Sequence, residues 1–390
     1  EMEVDHDLID YDYIDYIKKQ WSDNNLKYIV MGSCISFYNF RVDYASEKQH
    51  YDGELFLEEN NQGGMPVTFM NMDAARTKLS VGEIFRLNVK VSNERILRPW
   101  MYTFCKQKKS LGDVCSASEA EKNMVKGWWG LCSDKFDNTL HEWLVKLQDN
   151  DISDCEKLNS QVRNNCLSDF WRNTIRELIE AIAHIHDCGL FHGSLNEYDN
   201  YVVVGDQLKL FNISGCLEGL GVQDQHSRKI QDFQEFRDTL KKLLEPSTKW
   251  LERDRFLDCF DAASVFSYKK YVEKLKKHPF LLTPHERVKN VTSVYHDNIF
   301  HIDRKMNRGS TFQAFFSWDT DRKKWEKFLS DIYESKLSKS YDYDYRPLDL
   351  LRFMRNTYEH YRKHGNRTIE DVDNILRTRW DGFFDLVHLI

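Results

Sequence analysis

The run Arg355-Asn356-Thr357-Tyr358-Glu359-His360 is where this chain concentrates residues able to do chemistry. If residues 348–363 form a helix, Leu350, Met354, Tyr358 and Tyr361 make its buried stripe. Asn356 and His360, four positions apart, are then neighbours beside that stripe. Arg352, Arg355, Arg362, Lys363 and Arg367 surround them, with only Glu359 opposing. A histidine ordinarily titrates at about 6.5 and can carry a proton at neutral pH, while clustered cations can grip phosphate. These residue types suit acid–base work on a phosphate backbone. The competing reading is a solvated helix face that ends in a capping histidine.

The elements that must hold this helix belong to a chain of 390 residues, long enough for two or three domains. Its formal net charge is −7, with 30% charged and 41% hydrophobic residues. That balance excludes a protein that coats nucleic acid by bulk charge, so any RNA contact must be local. No apolar run reaches roughly 18 residues, and the acidic opening EMEVDHDLIDYDYIDYIKK is unlike a signal peptide. A membrane segment is therefore not expected within the chain. It begins with Glu1 rather than Met, so a preceding region that could hold a sensor or an anchor is expected. Nine scattered cysteines without a C-x-x-C pair point to a reducing compartment. The expected location is the cytoplasm, or the cytosolic face of the endoplasmic reticulum if an anchor precedes Glu1.

Between residues 27 and 105, short β-branched and aromatic runs such as KYIVMGSCISFYNFRV, GELFLEE and MPVTFMNM alternate with polar loops, which predicts an antiparallel sheet. VGEIFRLNVKVSN has the period of one helix packed on that sheet. From Asn138 the pattern becomes helical. In DFWRNTIRELIEAIAHIHDCG, Ile175, Leu178, Ile179, Ile182 and Ile185 share a face and Gly189 stops the helix. Asp232 is read as opening the next large helix. Thr283-Pro284-His285-Glu286 combines a cap, a first-turn proline and a reciprocal glutamate, so a new helix starts there. Beyond it, Trp318, Trp325, Phe328, Leu350, Leu351, Met354, Tyr358 and Tyr361 are available for a helical core.

Phe191 to Tyr201 reads FHGSLNEYDNY, in which His192, Leu195 and Asn200 keep the spacing of a protein-kinase catalytic loop. With the sheet, the helices and LKKHPF at 275–280, roughly the first 280 residues resemble a protein kinase domain. The resemblance implies an acidic extension at 1–24, a sheet-rich lobe at 25–131 and a helical lobe at 132–282. It also exposes losses. Ser194 replaces the catalytic aspartate, Met70 the lysine, and Asn212 the metal-binding aspartate. Phosphoryl transfer relies on those charges, so no kinase activity is expected. Gly32, Glu83 and Asn200 mark what remains of a nucleotide pocket, with Asn200 read first as a loop brace.

The segment DYRPLDLLRFMRNTYEHYRKHGN, with RTRWDGFFDLVHLI after it, resembles the kinase-extension nuclease family of the inositol-requiring stress sensors and ribonuclease L. The shared features are the D-L-L-R start at Asp349–Arg352, Arg355-Asn356 with His360, and the pair Arg379-Trp380. The fold class implied is α+β, a bilobal kinase-like fold followed by an all-α nuclease domain at 283–390. Metal-free RNA cleavage needs a base for the 2′-hydroxyl, a cation for the phosphate and an acid for the leaving 5′-oxygen. The resemblance implies His360 as acid, Arg355 as phosphate cation and Asn356 as orienter of the scissile group. Its tyrosine falls on Tyr341 or Tyr343, each one residue out of register. Arg352, Arg362, Lys363 and Arg367 would bind RNA, no metal or other cofactor would be required, and two copies would pair through both domains. The rival expectation is a silent member that binds RNA or pairs with an active relative, favoured by the acidic YDYDY at 341–345.

Overall fold

The computed structural model describes residues 28–31, 39–42, 50–56, 64–72, 81–106, 127–148, 162–163, 166–244, 250–297, 306, 310–337 and 343–389. The chain divides into two compact units, residues 1–151 with 181–232 and residues 152–180 with 233–390. Mixed sheet and helix make up the whole, and the C-terminal part is mainly helical. Among the described residues no helix is long and apolar enough to cross a membrane.

In the first unit, the β-branched and aromatic runs form a six-stranded antiparallel sheet. Its strands are β1 (Tyr28–Met31), β2 (Asn39–Val42), β3 (His50–Phe56), β4 (Met65–Asn71), β5 (Pro99–Lys106) and β6 (Gly127–Asp134), in the order β1-β5-β6-β4-β3-β2. Period-two alternation buries both faces of β4. Val67 and Phe69 meet Tyr51 and Trp128 on one side. Met70 joins Tyr102, Leu131 and Phe85 on the other. Helix α1 (Val81–Val89) covers that second side, its Phe85 ring 5.3 Å from Tyr102. It is shorter than the run VGEIFRLNVKVSN suggests. Near its end the Asn88 amide accepts from the Ile213 backbone NH (3.1 Å) and donates to the Ile213 carbonyl (3.0 Å), which pins the helix where it stops. Helix α2 (Leu140–Gln148) is capped by Thr139 and Glu142, each side chain accepting from the other's backbone NH.

Helix α3 (Asp169–Asp187) buries Ile175, Leu178, Ile179, Ile182 and Ile185, as its stripe predicts, and Gly189 follows at φ +76°. Helix α4 runs from Val222 to Leu243, so Asp232 lies in its middle rather than at its start. The first half, VQDQHSRKIQ, is polar and largely exposed, which left no apolar stripe to mark it. Asp232 is itself buried. Its Oδ2 accepts from the His192 backbone NH (2.7 Å) and bonds His186 Nε2 (2.8 Å), while Oδ1 accepts from the Gly193 NH (2.8 Å). Burial pushes this carboxyl up, yet the His186 hydrogen bond and the nearby histidine charges hold it below its ordinary value. A buried carboxylate thus organises the loop at 191–194.

The second unit continues with α5 (Leu251–Asp258), α6 (Tyr268–Lys276) and α7 (Pro284–Asp297). Thr283 and Glu286 make the reciprocal cap that opens α7, with Thr283 NH to Glu286 Oε2 at 2.7 Å. Then come α8 (Lys327–Leu337), α9 (Pro347–His360), α10 (Ile369–Arg379) and α11 (Phe383–Leu389). The eight apolar residues expected to form a core here are all buried. Trp318 and Trp325 stack at 5.8 Å, with Tyr333, Phe353 and Trp380 edge-on or tilted against them. Each such side chain contributes about 1.5–3 kcal/mol by leaving water. The same unit ties α5 and α6 to α10 and α11. Arg255 lies 2.9 Å from Asp381 and 3.3 Å from Asp385, Arg377 pairs with Glu252, and His388 Nε2 bonds the Lys274 carbonyl at 2.7 Å.

Candidate active site on the helix Pro347–His360

Helix α9 begins at Pro347, whose missing NH costs nothing in a first turn, and carries Asp349 near its positive end. Asp349 also accepts from the Asp344 backbone NH (3.1 Å) and pairs with Arg352 (3.4 Å), fixing the entry of the chain. Leu350, Leu351, Phe353, Met354 and Tyr358 face the core. At Tyr358 the buried face becomes polar. Its hydroxyl donates to Asp373 Oδ1 of α10 (2.8 Å). Asp373 in turn receives Arg287 of α7, with Nε 2.9 Å from Oδ1 and Nη2 2.8 Å from Oδ2, and the Arg377 Nε at 3.0 Å. Three helices are thereby locked to one carboxylate. Burial pushes that carboxyl up, but the charge and hydrogen bonds of Arg287, followed by Arg377, hold it below its ordinary value.

Asn356 is 3% exposed, more deeply set than its place beside the stripe suggests. Its Nδ2 donates to the Tyr343 hydroxyl (2.7 Å), and its Oδ1 accepts from Arg355 Nη2 (2.8 Å). Both ends of the amide are engaged. Tyr343 is 7% exposed, stacks on Tyr333 at 5.0 Å and has the Arg352 guanidinium 5.2 Å from its ring centre. Burial raises its phenol above the ordinary value, opposed by the Asn356 hydrogen bond and by the charges of Arg352 and Arg355. Tyr341 lies outside the described residues.

Arg355 is partly buried, and its Nε sits 3.4 Å from Glu359 Oε1. The α-helix ends at His360, where the chain tightens into a 3-10 turn at Tyr361–His364 rather than continuing as an α-helix to residue 363. Gly365 follows at φ +132°. His360 is partly exposed at that junction, and Arg362, Lys363 and Arg367 are exposed just beyond it. Arg367 lays its guanidinium 4.4 Å from the Phe328 ring, bringing the turn against α8. Asp344, part of the acidic run, is committed locally. It pairs with Arg346 (2.7 Å) and accepts from the Tyr345 NH (2.8 Å). Arg379 donates to the Lys324 carbonyl (2.9 Å) and Trp380 is core, so that pair braces the fold.

The positions compared with a protein kinase in the sequence belong to the first unit. Met70 is buried under α1, and Glu83 lies in the first turn of that helix. Ser194 donates to the Gly193 carbonyl (2.6 Å). Asn200 donates to the Ser194 carbonyl (2.8 Å), the geometry of a loop brace, and receives Asn212 Nδ2 at 3.3 Å. Asn212 has φ +72°, which asparagine tolerates better than most residues. Gly32 lies outside the described residues.

Sequence reasoning missed two features of the site. Asp373 and Arg287 read as surface charges on separate helices, and nothing local marks their pairing. Tyr295, near the end of α7, carries no local signal either, although its ring faces Arg355. A comparison with curated proteins gives no match. Residues 301–385, which carry every candidate catalytic side chain, match the model of the Ribonuclease 2-5A family, and the match supports a nuclease of the kinase-extension type in this part of the chain.

Proposed function

We propose that this chain is a metal-independent endoribonuclease that cleaves RNA by 2′-hydroxyl attack. The 2′-oxygen bonds to phosphorus as the bond from phosphorus to the 5′-oxygen breaks, leaving a 2′,3′-cyclic phosphate and a 5′-hydroxyl. His360 supplies the proton that the 5′-oxygen takes up. Arg355 offsets the charge that grows on the phosphate, and Asn356 orients Arg355 through its Oδ1. Tyr341 is assigned as the base that takes the proton the 2′-hydroxyl gives up. Tyr343 fits that role poorly, because it is buried and its hydroxyl is already bonded to Asn356, so it is better read as a positioning residue. Arg352, Arg362, Lys363 and Arg367 hold the phosphates on either side.

One observation carries this reading. A cation and an amide are fixed to each other on a helix locked from behind by Asp373, within a segment that matches a ribonuclease family. In the same reading, residues 25–131 and 132–282 are kinase-like lobes without phosphoryl transfer, and 283–390 is the nuclease domain. The lobes serve to pair two copies in the cytoplasm or on the cytosolic face of the endoplasmic reticulum, and nucleotide at Gly32, Glu83 and Asn200 is not needed for cleavage. The test is end-group analysis of a stem-loop RNA incubated with the protein in EDTA. Products ending in cyclic phosphate and 5′-hydroxyl support the proposal, whereas 3′-hydroxyl ends would exclude 2′-attack.

The rival reading, a silent RNA-binding member, draws on the engagement of both ends of the Asn356 amide. Tight RNA binding without products in the same incubation would favour it. The pairing of Asp344 with Arg346 weakens the objection that this acidic residue repels phosphate.

A further inference from the structure

Tyr295 stands on α7, an element from which the sequence assigned no functional residue. The Arg355 Cζ lies 4.4 Å from the centre of its ring, inside the range of a cation–π contact. Arg355 is thereby held in three ways. Asn356 Oδ1 accepts from Nη2 (2.8 Å), Glu359 Oε1 stands 3.4 Å from Nε, and the Tyr295 ring lies under the guanidinium carbon. Among the described residues neither its Nε nor its Nη1 group has a hydrogen-bond partner, and Nε is the buried one. The edge left over is the one that can donate to a phosphate oxygen.

A cation stabilises a transition state most when its orientation is fixed before charge develops, since no reorganisation is then required. The two polar contacts on Arg355 come from its own helix and act at the guanidinium edge, so neither stops the plane from tilting away. The ring of Tyr295 supplies that missing restraint from a second helix. The lock of Arg287 on Asp373 keeps α7 in register with α9. The phenol is not needed for this, because the contact is made by the ring face.

We propose that Tyr295 is a positioning residue for RNA cleavage, whose ring face holds the Arg355 guanidinium plane ready for the scissile phosphate. The proposal rests on the nuclease reading of Arg355 and adds a residue from a different helix to the site.

Steady-state cleavage of a stem-loop RNA in EDTA separates the possibilities. Tyr295→Phe keeps the ring and is expected to retain kcat within about 2-fold. Tyr295→Leu and Tyr295→Met fill much of the space without a ring face, and each is expected to lower kcat about 10-fold with KM within about 2-fold. In an Arg355→Ala background, Tyr295→Leu is expected to add no further loss, because its effect passes through the arginine. Should Tyr295→Leu fail to fold, the Met variant carries the same comparison. Full activity in the Leu or Met variant would overturn the role, as would a loss in Tyr295→Phe equal to theirs or a further loss on top of Arg355→Ala. No cleavage by the unsubstituted chain would overturn the nuclease reading and this role with it.

Discussion

The Asn356 amide donates a 2.7 Å hydrogen bond to the Tyr343 hydroxyl inside the aromatic core, and this contact gives Tyr343 a structural role. Tyr343→Phe leaves a buried amide donor without its acceptor, which costs about 1–3 kcal/mol of stability. Its cleavage rate is expected to fall less than about 10-fold, with an unmoved pH profile. A general base at this position would instead lose about 10²–10⁴-fold. Rate against pH for the Phe variant decides, and a loss of that larger size would return Tyr343 to the chemistry.

Exposed cations beyond His360 set how RNA affinity responds to salt. Each phosphate contact by Arg362, Lys363 or Arg367 contributes about 0.7–0.9 to the slope of log K against log salt. Alanine at Lys363 is therefore expected to lower the slope by nearly one while leaving the fold intact. A slope unchanged in all three single variants would remove these residues from the RNA surface.

Asp373 is the anchor behind the site. Asp373→Asn leaves Arg287 and Arg377 buried without their shared charge, and the expected loss is about 3–5 kcal/mol. Tyr358→Phe, which removes one hydrogen bond, should cost only about 1 kcal/mol. The pH dependence has a definite sign. Because the folded carboxyl is held below its unfolded value of 3.8, its contribution is present above that pH and is lost as pH falls through the folded value. Urea titrations of both variants give the comparison, and equal losses would contradict it.

A second buried group works the other way. Burial, with the charge of Glu252, pushes the Asp385 carboxyl from 3.8 up to about 7, against the pull of Arg255. The fold then keeps a proton that the unfolded chain releases, so this contribution is full below about 4 and is lost as pH rises through about 7. Burial also lowers His388 to about 4, while His278, whose Nε2 is 3.8 Å from Asp385 Oδ1, is held well below 6.5. Their contribution rises with pH over the same range and opposes that of Asp385. Asp385→Asn should therefore make unfolding free energy climb more steeply between about pH 4.5 and 6.5, by roughly 1 kcal/mol per pH unit. An unaltered slope would show that Asp385 is ionised in the fold.

What could be read in the sequence follows from the range of each signal. The isoleucine stripe of α3 and the Thr283–Glu286 cap are local patterns, and both elements start or bury as expected. The candidate helix was legible for the same reason, down to its buried Leu350, Met354 and Tyr358, with Tyr361 buried in the turn that follows. Local pattern could not give the depth of Asn356, which follows from a tyrosine outside the helix. Nor could it give the pairing of Arg287 with Asp373, since a buried acid looks like a surface one until its partner is known. The early start of α4 was hidden because its first turns are polar on every side.

The account stands most directly on His360 as the acid of a metal-free cleavage. The measurement is the rate at which a stem-loop RNA is cut in EDTA by the unsubstituted protein and by His360→Ala. The account predicts cleavage by the first, lowered at least about 100-fold in the second. No cleavage by the unsubstituted chain, or equal rates from both, would contradict it.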